Sequence, residues 1–127
     1  MPEYRVISGK DFIKAKPNGD LDLEESKKLL TSIASITKPP ADYEIMLDIR
    51  DVNINKPFTP FEVLAFIKEL VNNRSAFRNK IAVLSRDNKQ FDNSRFAELC
   101  ATNRGLLVKA FVSFEKAIEW LTSPIKI

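Results

Sequence analysis

Histidine is absent from the 127 residues, which removes the commonest general base and the commonest metal ligand. The one cysteine, Cys100, cannot close an internal disulfide. As a nucleophile it would need a base partner, and the sequence offers none. Its place in a helical apolar stripe reads instead as a buried, inert thiol. Glycine is nearly as scarce: Gly9, Gly19 and Gly105 each stand at a turn or helix end. No Gly-rich phosphate loop follows, because neither G-x-G-x-x-G nor G-x-x-x-x-G-K-S/T occurs. No apolar run approaches the roughly 20 residues that span a bilayer, and Met1 to Ile7 lack the apolar stretch of a signal peptide. These absences argue against an enzyme, a cofactor or a metal, and for a cytoplasmic protein.

Hydrophobic residues make up 44% of the chain and charged residues 29%, a globular balance that fits one domain over residues 1–127. A chain of this length buries roughly two-thirds of its unfolded surface and needs no disulfide or metal to hold it. The net charge of +3 is uneven. Residues 1–71 carry 10 basic and 12 acidic side chains, and residues 72–127 carry 10 and 5. The basic residues never form a run of five or six, so the bias reads as a solvated surface.

Tyr4–Ser8 and Phe12–Ala15 read as a hairpin about Gly9-Lys10-Asp11, with Pro17-Asn18-Gly19-Asp20 as the stop. Asp22 suits the cap of a first helix, with Glu25 placed to close a capping box. Leu23, Leu29, Leu30, Ile33 and Ile36 give that helix an apolar stripe. Tyr43–Val52 reads as a central strand, followed by a loop from Asn53 to Phe58. Thr59-Pro60-Phe61-Glu62 opens a second helix, with Thr59 as N-cap, Pro60 at the first helical position and Glu62 closing a box. Val63, Leu64, Ile67, Leu70 and Val71 form its stripe.

Lys80–Ser85 is another buried strand. A third helix is expected over Asp92–Asn103, with Phe96, Leu99 and Cys100 inward and Gly105 as a left-handed cap. Leu106–Val112 reads as the last strand. Ser113 caps a last helix whose Phe114, Ala117, Ile118 and Leu121 fall at i, i+3, i+4 and i+7. The order β-β-α-β-α-β-α-β-α implies a mainly parallel sheet with an antiparallel N-terminal hairpin and about four helices packed on it.

Three stretches resemble the STAS domain, in particular its SpoIIAA-like (anti-sigma-factor antagonist-like; STAS/SEC14-like) group. Tyr43-Glu44-Ile45-Met46-Leu47-Asp48-Ile49-Arg50 is similar to the family's hxLLDhR strand. Lys80-Ile81-Ala82-Val83-Leu84 looks like the next strand. Val108 to Leu121 is similar to the closing V-x-x-F-x-x-x-x-x-A-h-x-W-L segment, and Phe96-Ala97-Glu98-Leu99 fits the third helix. The likeness runs through nearly the whole chain, but it rests on core residues and so speaks to fold more than to function. The resemblance implies a non-catalytic regulatory or protein-interaction module, with a protein partner or a second copy bound.

Its SEC14-like side implies an alternative, a carrier of a small apolar ligand or lipid. The best-known members are switched by phosphorylation of a serine in an Asp-Ser-x-Gly-like sequence after the central strand. Here Ile49-Arg50-Asp51-Val52 stands in that place, and Thr59 is the nearest substitute acceptor, with Ser85 a weaker one. A phosphate at Thr59 would meet free backbone N–H groups at the positive helix end. The expected contact surface is the Asn53–Phe58 loop and the start of the next helix: Asn53, Lys56, Phe58, Thr59 and Glu62.

Asp48 and Asp51 stand at a strand end where open sheets place ligands, but no spacing supports a cation site, and they read as solvated loop carboxylates. The nine phenylalanines exceed what the helical stripes need; Phe58, Phe61, Phe77 and Phe91 are candidates for a partner surface or a small apolar pocket. Arg74, Arg78, Lys80, Arg86 and Lys89 near Phe77 and Phe91 make only a thin basic and aromatic patch, so nucleic acid is not the expected partner.

Overall fold

The computed structural model describes residues 4–8, 12–19, 22–37, 44–52, 59–73, 80–86 and 89–122. Its elements are β1 (Tyr4–Ser8), β2 (Phe12–Gly19), α1 (Leu23–Thr37), β3 (Glu44–Asp48), β4 (Asp51–Val52), α2 (Pro60–Asn72), β5 (Ile81–Leu84), α3 (Lys89–Thr102), β6 (Val108–Phe111) and α4 (Phe114–Thr122). The sheet runs β1-β2-β3-β5-β6. β1 lies antiparallel to β2, with Tyr4 opposite Pro17 and Ser8 opposite Ile13. β2, β3, β5 and β6 are mutually parallel.

Each of these parallel strands lies one place further along the sheet than its predecessor. Three crossovers of one hand, stepping in one direction, put their helices on one face. The core shows this division. Ala15, Ile45, Leu47, Ile81, Val83 and Val108 pack against Leu29, Leu30 and Ile33 of α1, Ile67 and Leu70 of α2, and Ala101 of α3. The alternate strand residues Met46, Ala82 and Leu84 point the other way, onto Ala117 and Leu121 of α4, as the two-residue period of a strand requires. α4 is short, and aromatic contacts help to seat it: the Trp120 and Phe111 rings lie 5.7 Å apart. Lys80, buried at the start of β5, donates from Nζ to the Trp120 carbonyl at 2.8 Å. That places a cation at the negative end of the helix.

Local chemistry sets the helix ends. The Asp22 carboxylate accepts the Glu25 N–H at 2.8 Å, and Ser113 Oγ accepts the Lys116 N–H at 3.3 Å. Gly105 has φ 78°; its N–H donates to Thr102 O and the Leu106 N–H to Ala101 O, the paired bonds of a Schellman turn.

Several expectations need correction. β2 does not stop at Ala15. It runs through Pro17 to Gly19, because Asn18 and Gly19 find a parallel partner in β4, and a ladder with a neighbour outweighs turn chemistry read locally. The central strand does not run unbroken to Val52: a turn at Ile49-Arg50, with the Val52 N–H on Ile49 O, separates β3 from β4. β6 begins at Val108, leaving Leu107 exposed.

α3 starts at Lys89, and its inward face is not the expected one. Phe96 and Leu99 are 38% and 58% exposed, and Cys100 is only half-buried. Gln90, Ser94 and Ala101 are buried instead. The Gly9-Lys10-Asp11 turn, the Asn53–Phe58 loop, Phe77 and Tyr43 lie outside the described residues. No helix among the described residues is long and apolar enough to cross a membrane.

Candidate functional site

The carboxyl ends of β3 and β5 and the start of α2 lie on one edge of the sheet, where parallel α/β folds gather their functional groups. α2 opens with Pro60 at its first position and Thr59 as N-cap. Thr59 Oγ1 accepts the Glu62 N–H at 3.2 Å, and Glu62 Oε1 accepts the Thr59 N–H at 3.0 Å. The capping box satisfies two helix-end donors and fixes the geometry of the first turn. Within that rigid turn Phe61 is 85% exposed. Among the described residues, the capped first turn thus holds this large aromatic ring largely in water. Of the expected contact residues, Thr59 and Glu62 are brought together by the box, whereas Asn53, Lys56 and Phe58 lie outside the described residues.

Asp48, at the end of β3, is fully buried rather than a solvated loop carboxylate. The reason is Arg50. Its Nε and Nη2 donate to Oδ1 and Oδ2 at 3.0 and 2.9 Å, and its backbone N–H donates to Oδ1 at 3.1 Å. Lys14 Nζ stands 4.0 Å away on the neighbouring strand and 5.1 Å from the Phe114 ring centre. Burial pushes the Asp48 carboxyl up. The hydrogen bonds and charge of Arg50, with the charge of Lys16, outweigh burial and hold it below the usual carboxylate range. Asp51, by contrast, is exposed and pairs with Lys16 at 3.4 Å. At the opposite end of β3, burial raises the Glu44 carboxyl, although the Lys80 N–H donates to it at 2.6 Å and the Lys80 charge favours the anion.

A second buried group lies beside the ends of β3 and β5. Gln90 Nε2 donates to Ile49 O at 2.7 Å, and Gln90 Oε1 accepts the Arg86 N–H at 2.8 Å. One side chain thus pins the backbone just beyond both central strands. Ser94 Oγ donates to Gln90 O at 3.1 Å, which leaves the Ser85 hydroxyl as donor to Ser94 Oγ at 2.5 Å. Ser85 is 1% exposed, which leaves no room for an enzyme to phosphorylate it. Reading for hydropathy passes over this group. Yet Gln90, Ser94, Ala97 and Ala101 recur at intervals of four, three and four, the spacing of one helix face, and a search for small and polar stripes would find it.

Asp48 and Asp51 are engaged in ion pairs, and no group of three or more Cys, Asp or Glu side chains among the described residues is arranged to hold a metal. The arrangement offers a rigid, capped helix start with an aromatic side chain in solvent, above strand ends locked by buried polar contacts.

Among the described residues, a mainly parallel sheet carries α1, α2 and α3 on one face and α4 on the other, and this architecture matches a SpoIIAA-like fold. An uncharacterised protein of the DUF3478 family from Shewanella loihica PV-4, itself described as SpoIIAA-like, superimposes with a TM-score of 0.61. The match covers 94% of this chain and 93% of that one at 17% sequence identity, a likeness of fold. No family model matches the sequence, and no curated protein matches it.

Proposed function

We propose that the chain is a non-catalytic module of the STAS type that binds another protein through the start of α2 and the segment preceding it. The observation that carries this reading is Phe61, 85% exposed beside the Thr59–Glu62 capping box. Exposed aromatics on rigid elements are the usual anchors of protein interfaces, since they bury a large area with few rotamers to freeze. Asn53, Lys56, Phe58, Thr59 and Glu62 form the rest of the proposed surface.

Thr59 is the proposed phospho-acceptor within it. Its hydroxyl is exposed, and a phosphoryl group there would put about two negative charges on the positive end of α2 while displacing the neutral cap. Such a modification would change the surface without unfolding the domain.

The carrier reading finds less support. Among the described residues, an apolar cavity between α1, α2 and the sheet, lined by Leu30, Ile33, Ile45, Phe66 and Ile67 among others, measures about 30 Å³. Sites for organic ligands occupy roughly 300–1,000 Å³, so this space is a packing imperfection of the core.

The test is quantitative capture of partners from the source cells with wild-type protein, Phe61→Ala, Phe58→Ala and Lys56→Glu. Loss of the same partners in all three variants supports the surface; undiminished capture refutes it. Intact-mass measurement of protein purified from those cells detects the Thr59 modification as a single phosphoryl increment that Thr59→Ala lacks.

A further inference from the structure

Among the described residues β6 is the last strand of the sheet, and its outer edge carries a contact that does not belong to the sheet. On the inner side, the Ile81 N–H donates to Leu107 O and the Ser85 N–H to Phe111 O. Backbone groups alternate along a strand. Leu107, Lys109 and Phe111 therefore turn theirs toward β5, and Val108 and Ala110 turn theirs away from it. The Ala110 N–H nevertheless has a partner. It donates at 2.8 Å to Oε1 of Glu98, a half-buried side chain of α3 twelve residues earlier.

A free edge with outward N–H and C=O groups is a template for another strand. A side-chain carboxylate on one of those N–H groups takes away a donor that an incoming strand needs. It also brings a negative charge to where the incoming strand's carbonyl would sit. Two copies of this chain meeting about a two-fold axis would offer each other identical edges, so a second copy is the strand that every molecule encounters.

We propose that Glu98 guards the β6 edge: by holding the Ala110 N–H, it keeps the β6 strand of a second copy from adding to the sheet. The guard lies at the far end of the sheet from β1 and is independent of the α2 surface.

Hydrogen exchange and sedimentation test it together. In wild-type protein the Ala110 amide should exchange slowly although no strand among the described residues faces it; rapid exchange there overturns the proposal whatever the variants do. Glu98→Ala should speed exchange at Ala110 by about ten- to a hundred-fold, the loss of one charge-assisted hydrogen bond. Lys109 and Phe111, bonded to β5, should keep their protection. The same variant should show a concentration-dependent rise in mass relative to wild type. Glu98→Gln, which keeps an acceptor oxygen, should show much less. Adding Ala110→Pro to Glu98→Ala removes the edge donor and should abolish the association. Faster exchange with no change in mass, or association that survives Ala110→Pro, would overturn the guarding role.

Discussion

Removing either member of the Asp48–Arg50 pair should destabilise the fold, and the two removals should differ in size. Asp48 has no exposed surface and accepts three hydrogen bonds from Arg50. Arg50, with its side chain 37% exposed, has a route to water. Asp48→Asn takes away the charge and sets an amide donor against a guanidinium donor. Arg50 then turns outward, and the loss should be about 2–3 kcal/mol, the scale of hydrogen bonds to a charged group. Arg50→Ala leaves a buried carboxylate without its main partner, and Lys14 at 4.0 Å compensates little. That loss should approach about 3–5 kcal/mol.

The pH dependence follows from the depressed Asp48 value. A folded carboxyl titrating below its unfolded value of about 3.9 contributes stability that is fully present above that pH and disappears as pH falls through the folded value. The gap between wild type and Asp48→Asn should therefore stay constant from pH 7 down to about pH 5 and close below about pH 4. Urea unfolding of wild type, both single variants and the double variant, at pH 7 and at pH 3, measures every term of the cycle. Arg50→Ala milder than Asp48→Asn at pH 7, or a gap that widens in acid, would refute the account.

Other outcomes are specific to single contacts. Ser94→Ala should cost about 1–3 kcal/mol in urea unfolding, because it strands the buried Ser85 hydroxyl. Gly105→Ala should cost about 1–2 kcal/mol from its φ of 78° alone, since nothing lies within 4 Å of the added Cβ; a larger thermal shift would mean that the space is not open. Thr59→Ala should lose about 1 kcal/mol by opening the capping box, and Thr59→Ser should lose little. Phe61→Ala should stay within about 0.5 kcal/mol of wild-type stability, because its side chain touches mostly water; a marked loss of stability would place that ring in the fold and not on the contact surface.

Features whose partners lie within five residues are legible in the sequence. The Thr59-Pro60-Phe61-Glu62 start of α2, the Asp22 and Ser113 caps and the Gly105 stop all appear as their residue types predict. So do the apolar stripe of α2 and the continuously buried run of β3. The failures share a cause. Pro17-Asn18-Gly19 carries turn residues, but β4 pairs with its end. The apolar residues of α3 point to one inward face, whereas packing against β6 and the strand ends selects Gln90, Ser94 and Ala101 for the inside. Of the candidate site, Thr59 and Glu62 could be read through the capping box. The exposure of Phe61 could only be suspected from an excess of phenylalanine, and the burial of Asp48 not at all.

The chain's own order of apolar and polar residues determined that this protein would have helices alternating with strands, where most helices begin and end, and which faces of α1, α2 and α4 turn inward. Those choices are settled by hydrogen bonds and side-chain spacing within one or two turns. Tertiary structure decided which polar groups go inside with them. Gln90 finds its acceptor on Ile49, 41 residues away, and the Lys80 N–H finds Glu44 at a separation of 36. A buried polar group is tolerated only where a partner arrives to bond it, and that arrival depends on the sheet order, which no local pattern carries.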